Sequence, residues 1–187
     1  MSTRKLNHAL LTAALALPAA VASAQDYGLG TSVSDAQIRS WDIDVRADGK
    51  GLPAGSGTVA KGKEVYERDC IACHGANGQG KPADRLVGGQ GTLKNPAPVK
   101  TIGSFWPYAT TVFDYVRRAM PYLQPGSLSN DEVYAVTAYL LQLNGIVAAD
   151  AVMDAETLPK VAMPNRDGFS GDPRPDVANV PCRSDCK

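Results

Sequence analysis

An all-α domain, framed by an irregular N-terminal arm and an extended proline-rich C-terminal tail, is the fold class that the sequence predicts. Helical periodicity recurs in three segments, at about residues 58–72, 107–119 and 131–144. Nothing between them alternates for long enough to read as a strand. Residues 75–103, rich in Gly, Pro, Asn and Lys, form an irregular stretch too long for an ordinary domain. Such a stretch makes sense when a large apolar group, rather than the chain, supplies part of the core.

The first helix takes Thr58 as its N-cap and is expected to run to about Ala72. Val59, Gly62, Val65 and Tyr66 share one face, and Gly62 costs about 1 kcal/mol of helix propensity relative to Ala, which hints at close approach by another element. The second helix is expected to start on Pro107 and to stop at Met120 before Pro121. Val112, Phe113 and Val116 line one side of it, leaving Arg117 and Arg118 free for solvent or an anionic group. Ser129 or Asn130 caps the third helix, in which Asp131 and Glu132 complement the N-terminal dipole and Gly145 ends the run.

The flanks read differently. Residues 1–24 have the pattern of a secretory signal: Arg4 and Lys5, an apolar run from Ala9 to Ala22, then Ala22-Ser23-Ala24 as a small-residue cleavage site. The apolar run is shorter than the roughly 20 residues needed to span a bilayer, and Pro18 interrupts it. Cleavage near Ala24 and export to the periplasm are therefore expected, with no membrane span afterwards. Residues 25–57 form the arm, with a short helix capped by Ser34, and residues 58–148 the domain. Residues 149–187 form a tail with too little apolar periodicity for a second domain. Residues 58–120 carry nine Lys/Arg against five Asp/Glu, and residues 121–187 five against nine. No basic cluster is dense enough to indicate nucleic acid as a partner.

Cys70-Ile71-Ala72-Cys73-His74 carries the chemistry. C-x-x-C-H is the pattern by which haem is attached covalently: two thiols add across two vinyl groups, and the adjacent His ligates the iron from one face. Zinc is the rival for four cysteines. It fails on spacing, since Cys182 and Cys186 lie more than a hundred residues beyond Cys73. One covalently bound haem c is the expected cofactor. Cys182 and Cys186, spaced C-x-x-x-C in an oxidising compartment, are expected to form a disulfide, with a free thiol or a link to a partner as the alternatives.

The ligand inventory is small. Of two histidines, His8 leaves with the signal, so only His74 remains. The sixth ligand is then a methionine, a less usual donor, water, or nothing. Met153 and Met163 fall in the tail, whereas Met120 sits at a chain reversal between two helices, where a side chain can be aimed at a buried metal. A lone methionine is usually core filler; beside a haem, the position of Met120 makes it the candidate axial ligand opposite His74.

Gly62-x-x-x-Tyr66, the haem pentapeptide, a Met-Pro before the last helix and Ala138-Tyr139-Leu140-Leu141 resemble a class I cytochrome c. The resemblance implies a class I cytochrome c fold whose first and last helices cross at a small and an aromatic residue, for which Gly62 and Tyr139 stand here. Longer segments, among them residues 41–45, 84–93, 106–111, 131–141 and 163–169, resemble the cytochrome subunit of Sox-type sulfite or sulfur dehydrogenases. That resemblance implies a molybdenum-cofactor dehydrogenase subunit as electron donor and a downstream cytochrome c as acceptor. In many class I cytochromes a proline two residues before a leucine offers its carbonyl to the proximal His. Here that slot before Leu86 holds Asp84, so the resemblance names no acceptor. Trp106, Tyr108 and Arg117 are candidates to touch the haem, or are ordinary core and surface. Electron transfer is the expected function. A haem enzyme with a displaceable sixth ligand and a free periplasmic shuttle are the alternatives.

Overall fold

The computed structural model describes residues 28–174. The expected signal segment 1–24 and the Cys182–Cys186 pair lie outside the described residues. The chain divides into two compact units, Met1–Trp41 and Asp42–Lys187. The described part of the first holds one helix, α1 (Asp35–Trp41), with no buried residue. Ser34 caps it as expected, its Oγ accepting the Gln37 N–H at 3.3 Å.

In the second unit the order is β1 (Ser56–Thr58), α2 (Val59–Asp69), α3 (Ile71–His74), α4 (Ala109–Ala119), α5 (Asn130–Leu143) and β2 (Val152–Asp154), followed by a 3-10 turn at Leu158–Lys160. Thr58 accepts the Lys61 N–H at 3.1 Å, and the face so set buries Val59, Gly62, Val65 and Tyr66. The helix expected to reach Ala72 instead ends at Asp69. Cys70 leaves helical geometry (φ −121°, ψ −33°), and the chain re-enters a single turn, α3, along a new direction. α4 begins after Tyr108, whose extended backbone (φ −138°, ψ 134°) postpones the start by two residues from Pro107. Met120 closes it with extended backbone, and Val112, Phe113 and Val116 point inward.

α5 is the central element, with nine of its residues buried. A reciprocal cap fixes its start: Ser129 Oγ accepts the Glu132 N–H, and Glu132 accepts the Ser129 N–H at 2.9 Å. Glu132 also accepts from Arg68 at 2.7 Å, which ties the end of α2 to the start of α5. These two helices cross where Gly62 faces α5. A methyl at Gly62 would overlap the Ala135 carbonyl and crowd Tyr139 Cβ. The Tyr66 and Tyr139 rings pack beside the crossing, with centroids 5.4 Å apart.

Two features lie beyond the sequence reading. β1 and β2 form a small antiparallel ribbon, Gly57 opposite Met153, and Gly57 lets it sit directly on the Ala135 backbone. Met153, Leu158, Val161 and Met163 thereby join the hydrophobic core, so the first part of the proline-rich segment packs into the domain. The stretch before β1 is also docked. Val45 is buried and donates its N–H to Asp114 at 2.9 Å, Thr110 donates to the Ala47 carbonyl at 3.1 Å, and Tyr134 donates to the Pro53 carbonyl at 2.8 Å.

Replacing Gly62 by Ala raises helix propensity by about 1 kcal/mol but overpacks a backbone contact, a cost of about 1–3 kcal/mol or more. We expect Gly62→Ala to lower stability in denaturant titration; a gain would contradict the crossing. Glu132 is held down at about 2, first by the Ser129 backbone N–H and then by the Arg68 guanidinium. Because this folded-state value lies below the ordinary 4.5, its stabilisation is present in full above that pH and is lost as pH falls toward about 2. Glu132→Ala should therefore cost about 1 kcal/mol at neutral pH, with the difference from wild type shrinking below pH about 4.5 in thermal unfolding.

Candidate haem site

One cavity of about 380 Å³ lies between α3, the irregular 83–102 stretch, α4 and α5. The break after α2 aims the pentapeptide at it: Cys70, Cys73 and His74 form one wall. Met120 lines the same cavity from the end of α4, together with Pro121. Leu86, Ile102, Val112, Val116, Val136 and Leu140 supply an apolar surround. The structure thus brings all four candidate residues to a single space. Met153 and Met163 are buried in the core and do not line it.

The His74 ring is oriented by one bond. Its Nδ1 lies 2.8 Å from the Asp84 backbone oxygen. A carbonyl can only accept, so Nδ1 carries the proton and Nε2 keeps its lone pair, the tautomer a metal requires. This names the acceptor that the resemblance left open: Asp84 serves through its backbone, which needs no proline. The loop carrying it is itself held, with Ala83 N–H donating to the Cys73 carbonyl at 2.9 Å and Leu86 N–H to the Gly78 carbonyl at 2.8 Å. On the other flank of the turn, Tyr66 donates its hydroxyl to the Gly75 carbonyl at 2.7 Å. Burial pushes the Tyr66 phenol up to about 12, so it remains a donor.

The two pentapeptide thiols are unpaired. Cys70 sits half-buried, and burial followed by the neighbouring Asp69 charge pushes its thiol up to about 11. Cys73 is exposed. Two thiols, an imidazole with a free Nε2, a thioether and apolar walls form a donor set and a container that fit a haem c.

Of the three residues weighed for contact with the haem, only Trp106 lines the cavity, edge-to-face with Tyr115 at 5.7 Å. Tyr108 lies under the Arg166 guanidinium at 5.1 Å, and Arg117 donates to the Ile43 carbonyl at 3.3 Å. Arg118 is occupied too, paired with Asp114 and Asp44. The basic groups of the wall are instead Arg85 and Lys100, which sequence reading passed over. They stand alone in an irregular stretch, where no periodicity reports which way a side chain faces.

The comparisons agree with this geometry. The family model for cytochrome c matches residues 59–144. Thiosulfate dehydrogenase from Stutzerimonas stutzeri (strain A1501) is 33% identical over 91 residues, 47% of this chain and 28% of that protein. The aligned part thus spans under a third of that relative's length. The crystal structure of the sulfane dehydrogenase SoxCD from Paracoccus pantotrophus contains a chain that superposes with a TM-score of 0.76 at 43% identity, over 87% of this chain and 83% of that one. The family match covers both cavity walls and the structural match most of the chain, and so this protein belongs to the cytochrome c family, with that family's electron-transfer function.

Proposed function

We propose that this chain is the haem-carrying subunit of a periplasmic, molybdenum-dependent sulfite or sulfur dehydrogenase. In this reading it is exported with cleavage near Ala24, and residues 58–148 hold one haem. The chain takes electrons from the molybdenum-cofactor subunit and passes them to a downstream cytochrome c. The observation that supports it most is the convergence of Cys70, Cys73, His74 and Met120 on one cavity, in a chain 43% identical to part of a sulfane dehydrogenase.

The residues divide the work. Cys70 and Cys73 would anchor the macrocycle by thioether bonds, and His74 Nε2 and Met120 Sδ would ligate the iron. A bound haem supplies a one-electron ferric–ferrous couple, which a Met/His ligand pair tunes upward in potential. Ligation by both His74 and Met120 would leave substrate no place on the iron, which suits a carrier for a partner's catalysis. Asp84, by accepting a hydrogen bond from the His74 Nδ1–H, would hold the imidazole in its ligating orientation. The apolar walls would exclude water from a bound macrocycle, and Arg85 and Lys100 would offer positive charge to its propionate carboxylates.

Purification of the native protein from periplasm, with metal analysis and sulfite addition, tests this reading. We expect molybdenum to co-purify and sulfite to reduce the haem, read as sharpening of its visible bands. A molybdenum-free protein whose haem sulfite leaves oxidised, even after crosslinking before lysis, would sink it.

A further inference from the structure

Asn144 closes α5, and a helix end asks little of it. A donor to the Leu140 carbonyl would suffice, and its Nδ2 makes that bond at 2.9 Å. Its backbone N–H stays in the helix as well, donating to the Leu140 carbonyl at 3.3 Å, and the other hydrogen bonds of the residue leave for a single loop. Nδ2 also donates to the Leu86 carbonyl at 3.2 Å, Oδ1 accepts the Gly88 N–H at 3.1 Å, and the backbone carbonyl accepts from Gln90 Nε2 at 3.1 Å. The residue is buried, at 8% exposure. Gly103 shapes its seat, since a Cβ there would overlap the amide oxygen. A buried amide with every group satisfied in this way is rigid and specific.

The loop that it grips is the one that orients the proximal ligand. Leu86 is two residues from Asp84, whose carbonyl accepts the hydrogen bond from the His74 ring N–H. Leu86 N–H donates to Gly78, and the Leu86 carbonyl receives a second bond from Ile102 N–H at 3.3 Å. Asn144 is therefore the one side chain of α5 that reaches this strap by hydrogen bonds among the described residues. The strap that carries the Asp84 carbonyl is thereby tied, from Leu86 two residues further on, to the end of the buried helix.

We propose that Asn144 is a positioning residue for the axial histidine: by pinning residues 86–90 to the end of α5 it sets the strength of the His74–Asp84 hydrogen bond, and through it the electron donation of His74 to the iron. The proposal rests on His74 being the axial ligand. A stronger bond to Nδ1 makes the ring a better donor and favours the ferric form. Loosening the strap weakens the bond and favours the ferrous form.

The test compares Asn144→Ala and the gentler Asn144→Ser with Ser129→Ala, all as the haem-loaded protein. Ser at 144 keeps a donor for the Leu140 carbonyl but is too short for Leu86. Ser129→Ala destabilises the far end of α5 without touching the strap. Two quantities are read: midpoint potential, and hydrogen exchange of the paramagnetically shifted His74 ring N–H by NMR. Both Asn144 variants should move the potential to more positive values and speed ring N–H exchange about tenfold, the effect of losing roughly one hydrogen bond from the local brace. Ser129→Ala should lower the melting temperature and leave both readings unchanged. Asn144 variants that lose stability yet keep wild-type potential and exchange would overturn the positioning role. A wild-type His74 ring with no paramagnetic shift would instead overturn the ligand assignment, and this proposal with it.

Discussion

The site depends on the hydrogen bond between the His74 ring and the Asp84 carbonyl. It decides which nitrogen carries the proton, and so which nitrogen faces the cavity. Everything that makes the bond possible is backbone geometry. α2 must stop at Asp69 so that α3 can turn His74 away from the helix axis. The irregular strand of chain beyond must fold back so that its carbonyl arrives within 2.8 Å of the ring. Because the acceptor is a peptide group, the identity of residue 84 is less constrained than its position.

A second constraint runs through the core. α2 and α5 approach as closely as backbones can at Gly62, and the ribbon sits on the same helix at Gly57. Yet a few residues away Val136 and Leu140, on the same α5, line a cavity of about 380 Å³. Protein interiors are normally filled to crystal-like density, and apolar walls left without neighbours cost stability. Tight packing on one side of α5 and an apolar space on the other are consistent when a covalently held haem completes the core. The long irregular 75–103 stretch then has something to wrap, although it buries little of its own side-chain surface.

The parts of this structure that were legible in the sequence are those that local chemistry specifies. Thr58 and Ser129 are caps by side-chain type, the α4 and α5 faces repeat with helical period, and Gly62 announced a close crossing. That the pentapeptide and Met120 would share one cavity was legible from the C-x-x-C-H spacing and from the place of Met120 at a chain reversal. Other features depend on contacts distant in sequence and leave no local trace. A three-residue strand such as 152–154 has no period to detect, so Met153 and Met163 read as residues of a tail. Arg117 looked free because Ile43, which engages it, precedes it by 74 residues, whereas half of the Arg118 pairing, to Asp114 one turn back, was open to a local reading. Asn144 read as an ordinary helix end, since its other partners belong to a loop more than fifty residues earlier. The break at Cys70 was missed because nothing in its side chain forbids a helix.

The central proposal is that His74 and Met120 would together ligate the iron, which suits the chain to carry electrons. The most direct measurement is the far-red absorption of the oxidised protein, where a thioether-to-iron charge-transfer band reports methionine ligation, in wild type and in Met120→Ala. The account predicts the band in wild type and its loss in the variant, with covalent haem retained. A wild-type spectrum that lacks the band, or one that survives Met120→Ala, would contradict it.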